Sequence, residues 1–388
     1  MRLTCVEYSP YRLTKGGHVR SKLIWPLALV LIGTAFALAG CNIGGDDDDG
    51  GEAGGDTQAQ PGQQGGDLLQ RVKDRGRLIC GVNDAVPGFG FVTEEGEFQG
   101  FDIDYCRAVA AGILGDAEAV DFRPLTAEQR FTALASAEVD ILIRNTTWTS
   151  SRDGSEGARF LTTTFYDGQG MMVRSDSEFQ SLEDMDGATI CVLSGTTTEL
   201  NLATQFEARG LDFEPLSFED NDTLQQAFQQ NRCEGWTSDL SQLAGVRSNW
   251  PEGQGGPEAL RLLDVVMSKE PLGPVVVDGQ EDFADAVNWI VIATIQAEEF
   301  DITSENIDEQ LESDDPGIRL LLGQPVEGEA FDPGLGLPTD FAVQVIQAVG
   351  NYGEIFDRNV GPDTGLGLER GNNALWIDGG LHYAPPYR

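Results

Sequence analysis

The chain is 388 residues long and carries 64 acidic against 25 basic side chains, a net charge of −39. So acidic a surface repels nucleic acid and anionic lipid headgroups, which argues against both as partners; with lysine only at positions 15, 22, 73 and 269, it reads as a solvation strategy that fits a saline habitat. His18 and His382 are too few for a His-based triad or a multi-histidine metal site, and no P-loop, dinucleotide fingerprint or Gly-x-Ser-x-Gly elbow is present, so no cofactor, metal or catalytic group is expected.

In chain order, residues 1–22 hold Arg2, Arg12, Lys15, Arg20 and Lys22 against Glu7, and a charge-free apolar run follows from Leu23 to Ala39. A basic start, an apolar middle and small residues before a cut describe an export signal. Leu38-Ala39-Gly40-Cys41 resembles a bacterial lipoprotein signal, whose cysteine is acylated and becomes the mature N-terminus. Residues 1–40 are therefore predicted to be removed and Cys41 to carry a lipid anchor. Residues 41–66 are rich in Gly, Asp and Gln, bury almost nothing and are predicted to be a disordered tether. Within it the Asp46–Asp49 run is no calcium loop, since Thr57 stands where an EF-hand needs its closing Glu.

The remaining stretch, 67–388, is long enough for two domains. Short β-runs at Arg77–Val82, Val120–Arg123, Val139–Ile143, Met171–Arg174 and Thr189–Leu193 alternate with helical spacing. Helices are predicted at Phe101–Leu114, Ala127–Ala137, near Ser181–Met185, from Gly195 to Arg209, at Phe283–Glu299 and over Phe341–Phe356. This alternation predicts an α/β architecture with largely parallel sheets. Four cysteines fall two and two: Cys80 and Cys106, then Cys191 and Cys233. In an exported protein that spacing suggests one disulfide per lobe; three pairings are open, and proximity favours Cys80 with Cys106 and Cys191 with Cys233.

Polar groups at strand ends carry the candidate chemistry. Asn145-Thr146-Thr147-Trp148-Thr149 leaves the 139–143 strand, with Arg152 just beyond; a guanidinium there can grip a carboxylate with two parallel bonds. Gly195-Thr196-Thr197-Thr198 opens a helix whose free N–H groups favour an anion. Thr237-Ser238-Asp239 offers a carboxylate for an ammonium group. Arg152 is expected to be the only buried cation facing the carboxylate of a bound zwitterion, whose two charges both need partners once buried.

The segments Gly100–Asp104, Cys106–Ala110, Arg144–Thr149, Phe165–Gly170, Gly195–Leu202 and Ser268–Pro274 resemble periplasmic amino-acid-binding proteins of ABC importers. So does the tail Asn373–Trp376 with Gly379–Leu381 and Tyr383–Pro386, and the general L-amino-acid-binding subgroup is the nearest match, over nearly all of 68–388. The resemblance implies a two-lobed, type 2 periplasmic-binding-protein fold with two crossover strands, a ligand cleft between lobes and intra-lobe disulfides. Lobe 1 is expected to hold 67–166 and 271–388, and lobe 2 residues 167–270. Carried over, Arg152 with Thr147 and Thr197 binds the α-carboxylate, Asp239 with Asn145 nearby binds the α-ammonium, and Phe89 lines the side-chain pocket. The implied partners of this non-enzymatic, monomeric protein are a free L-amino acid and the permease subunits of an ABC transporter, on the outer face of the cell membrane or in the periplasm. Glu234-Gly235-Trp236 departs from the family's Asp-Val-Tyr-like pattern, so Trp236 is expected to alter packing beside the pocket, which leaves the side-chain preference open. A small-carboxylate enzyme of dehydratase type on the same fold and a ligand-sensing module are the rival readings.

Overall fold

The computed structural model describes residues 67–326, 328 and 331–388. The export signal, Cys41 and the 41–66 tether lie outside the described residues. Helix α1 (Leu68–Arg75) leads into β1 (Leu78–Val82), then a small antiparallel flap of β2 (Ala85–Val86), β3 (Gly90–Val92) and β4 (Phe98–Gln99). Next come α2 (Phe101–Leu114), β5 (Val120–Pro124), α3 (Arg130–Ala135), β6 (Ile141–Leu142), α4 (Ser150–Ser155) and β7 (Ala158–Phe160). The long β8 (Phe165–Arg174) is followed by β9 (Ala188–Leu193), α5 (Thr197–Arg209), β10 (Phe213–Phe218), α6 (Asn221–Gln229), β11 (Gly235–Asp239), α7 (Leu240–Ser248) and β12 (Leu260–Leu262). The chain returns through β13 (Lys269–Leu272) to β14 (Val275–Val277). It ends in α8 (Glu281–Glu299), α9 (Ile307–Gln310), α10 (Pro316–Leu321), α11 (Phe341–Val349) and α12 (Tyr352–Asn359).

Two sheets result, one per lobe. The first has the order β5-β1-β6-β14-β7 and the second β10-β9-β11-β8-β12. In each, four strands point the same way and one runs against them: β14 opposes β6 and β7, and β8 opposes β11 and β12. The sheets are thus largely parallel, as expected, and the reversed strand in each is the one that enters or follows a crossing between sheets. The crossing itself is β8 paired with β13, Phe165 opposite Leu272 and Asp167 opposite Glu270. The expected boundaries at 166/167 and 270/271 fall inside these two strands.

Burial follows from the period of each element. Helix α2 is buried nearly all round because α8, α11 and α12 cover it, and together they form the large first-lobe core. In the second lobe the sheet divides the core. Met172 and Cys191 face Phe228, Trp236 and Trp250, while their neighbours Met171, Val173 and Ile190 face Met185 and Phe206, as a period of two requires. Cys80 is bonded to Cys106, tying β1 to α2 with Cα atoms 6.2 Å apart, and Cys191 to Cys233, tying β9 to the turn before β11 with Cα atoms 5.6 Å apart. Both separations lie within the range that disulfides usually span.

Three local readings change. Helix α3 is confined to 130–135, and only a 3₁₀ turn, Glu183–Met185, forms near 181–185. The helical stretch 341–356 breaks at Gly350, where Asn351 caps α12 in a reciprocal box with Glu354. Trp236 is fully buried edge-on to Phe228 in the second-lobe core. Near the C-terminus, His382 is buried against Tyr352 at 4.2 Å between ring centres, its Nε2 has no partner, and burial pushes its pKa down to about 3. Among the described residues no helix is long and apolar enough to cross a membrane, and no group of three or more His, Cys, Asp or Glu could hold a metal ion.

Candidate functional site

Strand ends of both lobes converge on one small, polar cavity. The first lobe lines it with Asn83, Val86, Ala127, Arg130, Arg144, Asn145, Thr147 and Arg152; the second with Leu193, Thr196–Thr198, Asn221, Ser238, Asp239 and Gln242.

Arg152 lies in α4, whose cap is Thr149: its hydroxyl accepts from Arg152 N at 3.3 Å. The guanidinium of this buried residue turns back to donate to Thr147 O at 3.0 Å and reaches Gly195 O of the other lobe at 3.5 Å. Opposite, Thr196 caps α5 by accepting from Glu199 N at 3.1 Å. The first-turn N–H groups of Thr197 and Thr198 therefore have no helical carbonyl to meet and add the helix's positive end to the cavity. Thr147 and Thr197 hydroxyls lie 3.4 Å apart across the cleft. Thr197 donates its hydroxyl hydrogen to Glu270 Oε2 at 2.8 Å, so toward a ligand anion it offers its backbone N–H.

Asp239 ends β11 just before α7 without a side-chain bond to that helix, and it accepts from Asn145 Nδ2 at 3.1 Å across the cleft. Asn145 adopts φ +37°, the left-handed region that asparagine tolerates, and is held there by its N–H on Asp102 Oδ2 at 2.7 Å and its Oδ1 on Asn83 Nδ2. Burial, then the carboxylates Asp167 and Glu270, push the Asp239 pKa well above the usual range. Asp167 is itself raised to about 6, chiefly by burial, although Ser241 and Gly168 N–H groups bond its oxygens. Of these carboxylates only Asp239 lines the cavity, where it can meet an ammonium group.

Of the expected site residues, Arg152, Thr147, Thr197, Asp239 and Asn145 meet at this cavity. Phe89 does not line it. Its ring packs in the first-lobe core, 5.8 Å from Phe101 and 5.0 Å from Phe165 between centroids. The turn before α2 forces this: Phe89 O accepts from Asp102 N at 3.0 Å, and Gly100 sits so close that a Cβ there would lie 2.2 Å from that oxygen. Nor is Arg152 the only buried cation, for Arg130 and Arg144 line the same cavity at 3% and 5% exposure. Arg130 was hidden inside a stretch that reads as an ordinary helix; Arg144 was signalled by its place at a strand end beside Asn145. Asn83, Asp102, Gln242 and Glu270 were also missed. Asp102, raised to about 7 by burial against the opposing pull of Asn145 N–H and Arg144, stands behind Asn145 without lining the cavity.

A two-lobed α/β protein whose lobes pinch a charged cavity at a double crossover is a binding protein that closes on its solute. The family model for bacterial extracellular solute-binding proteins, family 3, matches residues 78–307, and the chain belongs to that family: it is a solute-binding protein, not an enzyme. It is 47% identical over 321 residues to the glutamate/glutamine/aspartate/asparagine-binding protein of Rhodobacter capsulatus, covering 82% of this chain and 93% of that one. It is 45% identical over 320 residues to the general L-amino acid-binding periplasmic protein of Rhizobium johnstonii, covering 82% and 92%. Among solved structures, an ABC transporter periplasmic binding protein from Brucella ovis with glutathione bound superposes with a TM-score of 0.79 at 45% identity, covering 83% of this chain and all of that one.

Proposed function

We propose that the protein captures one free L-amino acid between its lobes outside the cytoplasm and presents the closed form to the permease of an ABC importer. The reading rests on one observation: Arg152 of the first lobe and Asp239 of the second face one cavity, across which Asn145 Nδ2 donates to Asp239 Oδ2 at 3.1 Å. A zwitterion satisfies both. Its carboxylate takes Arg152 and the N–H groups of Thr197 and Thr198, and its ammonium takes Asp239. A ligand that bridges both walls binds the closed state better than the open one, and that difference drives closure. The names of the relatives in Rhodobacter and Rhizobium support the same class of solute. Residues 67–166 with 271–388 are read as one moving body and 167–270 as the other, hinged on β8 and β13.

Calorimetry with the standard amino acids tests this. Binding of several of them without turnover is expected; no binding of any α-amino acid rejects the reading. For anchoring, we read Cys41 as the acylated residue. Cys41→Ser is expected to abolish incorporation of labelled fatty acid while amino-acid binding persists, and label retained in that variant refutes the anchor.

A further inference from the structure

Helix α7 holds a glycine that does nothing for the helix. Gly245 is buried in the interior of this nine-residue element, where glycine is less stable than alanine. What the missing side chain admits is the other lobe. A Cβ at Gly245 would lie 2.7 Å from Pro87 O and 3.4 Å from Pro87 Cβ, so one of the two backbones would have to move. Pro87 stands between β2 and β3, at the tip of the first-lobe flap, whereas α7 belongs to the second lobe. The lobes are closed here, since Arg152 reaches Gly195 O and Asn145 reaches Asp239 across the cleft.

The flap tip is braced against retreat. Phe89 N–H donates to Val86 O at 3.1 Å, Phe101 N–H donates to Gly88 O at 2.9 Å, and the Phe89 side chain is buried in the first-lobe core. Behind the tip, Leu366 packs so closely on Gly88 that a Cβ there would lie 2.6 Å from Leu366 Cδ2. The Leu366 loop also meets α7 directly: a Cβ on Gly365 would lie 3.6 Å from Ser248 Cβ. Gly245 and Ser248 are three apart and share a face of the helix, so one face receives both first-lobe segments.

Both sides of this contact lead into the cavity. Val86, beside Pro87, lines it, and so does Asp239, the residue that precedes α7. A helix moves as a rod, and Gly245 lies about 9 Å along its axis from Asp239. Where the flap halts α7 therefore fixes where the Asp239 carboxylate comes to rest relative to Arg152.

We infer that Gly245 and the Pro87 carbonyl form the stop that sets how far the lobes close, making Gly245 a positioning residue that acts on every amino acid alike. The inference rests on the proposal that the lobes close on a bound amino acid. Flap and α7 part in the open form, so only the closed form needs the glycine.

Gly245→Ala separates the two forms because its effects carry opposite signs. The urea midpoint of the ligand-free protein is expected to rise, alanine being the better helix former. Affinities for L-glutamate, L-glutamine and L-leucine are expected to fall together by at least about fivefold, through overpacking at the closed contact. The loss is expected in the dissociation rate, since encounter takes place in the open form. Unchanged affinities, a loss confined to one amino acid, or a lower midpoint overturns the inference and leaves the amino-acid reading intact. If the unmodified protein binds no amino acid, both fall. A second variant, Ser248→Cys with Gly365→Cys, leaves Gly245 in place and has a Cβ spacing that suits a disulfide. Added L-glutamine is expected to speed formation of that bond, and the oxidised protein to release bound glutamine more slowly than the reduced one. Equal rates of oxidation with and without any of the three amino acids show that the first lobe and α7 do not part, which overturns the inference even where Gly245→Ala fails to fold.

Discussion

The two walls of the cleft are built from different materials. The first-lobe wall works through side chains: three guanidinium groups, Arg130, Arg144 and Arg152, and the amides of Asn83 and Asn145. The second-lobe wall has no guanidinium: it offers the N-terminus of α5, the hydroxyls of Thr196–Thr198 and Ser238, the amides of Asn221 and Gln242, and the lone carboxylate Asp239. Side-chain charges are long, tunable and able to act on a ligand in the open state. Helix N–H groups are rigid and contribute only at contact distance. The difference teaches that attraction of the solute and completion of its cage are separate tasks, one given to each lobe.

That division can be broken from the first lobe with the largest effect. Arg152→Ala is expected to weaken every amino acid together by about 3–5 kcal/mol, more than a hundredfold, because it strips the α-carboxylate of its direct ion pair. Calorimetry across a neutral, an acidic and an amide ligand checks that the loss is shared. A smaller loss is expected from the second lobe: Asp239→Asn keeps the bond to Asn145 but gives up the charge, costing about 1.5–3 kcal/mol for any α-amino acid. A ligand lacking the amino group is expected to be indifferent to it.

The same carboxylate gives a pH test. Burial and its neighbours hold the Asp239 pKa well above the usual range. A bound ammonium favours the ionised form and lowers it again, so affinity falls with falling pH and binding at mildly acidic pH releases protons. Calorimetry in buffers of differing ionisation enthalpy counts them, and no dependence on buffer rejects the role of Asp239. The sign for stability is opposite. Asp102 and Asp167, raised to about 7 and about 6, keep protons in the folded state that the unfolded chain has lost. Their contribution is fully present below the unfolded value and is lost as pH rises through 6 and 7, which urea unfolding of the ligand-free protein at several pH values measures.

The smallest contrast lies in the cross-links. Cys80–Cys106 spans 26 residues and Cys191–Cys233 spans 42. By loop-closure entropy, removing the second pair is expected to cost about 0.4 kcal/mol more than removing the first, within totals of about 3–4 kcal/mol. Paired Cys→Ala variants compared by denaturant midpoint sharpen or erase that difference.

What the sequence disclosed divides along similar lines. Helix α2 was readable to its ends because Gly100 and Gly115 bracket an apolar period, and the five expected residues that meet at the cavity stood out as polar groups at or just beyond strand ends. The break between α11 and α12 carried a local signal, Asn351 with Glu354, that a longer apolar period masked. Phe89 and Arg130 were not legible. Whether an aromatic flanked by glycines turns inward, or an arginine on a short helix points into a cleft, depends on tertiary neighbours such as Phe165 and Gly195 that sequence spacing does not bring together.

His382 has one further consequence. Histidine is the group that normally dominates proton exchange near neutrality, and the only one among the described residues is locked neutral by its burial beside Tyr352. The buffering capacity of the folded part between about pH 5.5 and 7.5 therefore falls to carboxyls such as Asp102 and Asp167, at and behind the cleft. A plain acid–base titration, run with and without solute, becomes a label-free meter of cleft occupancy.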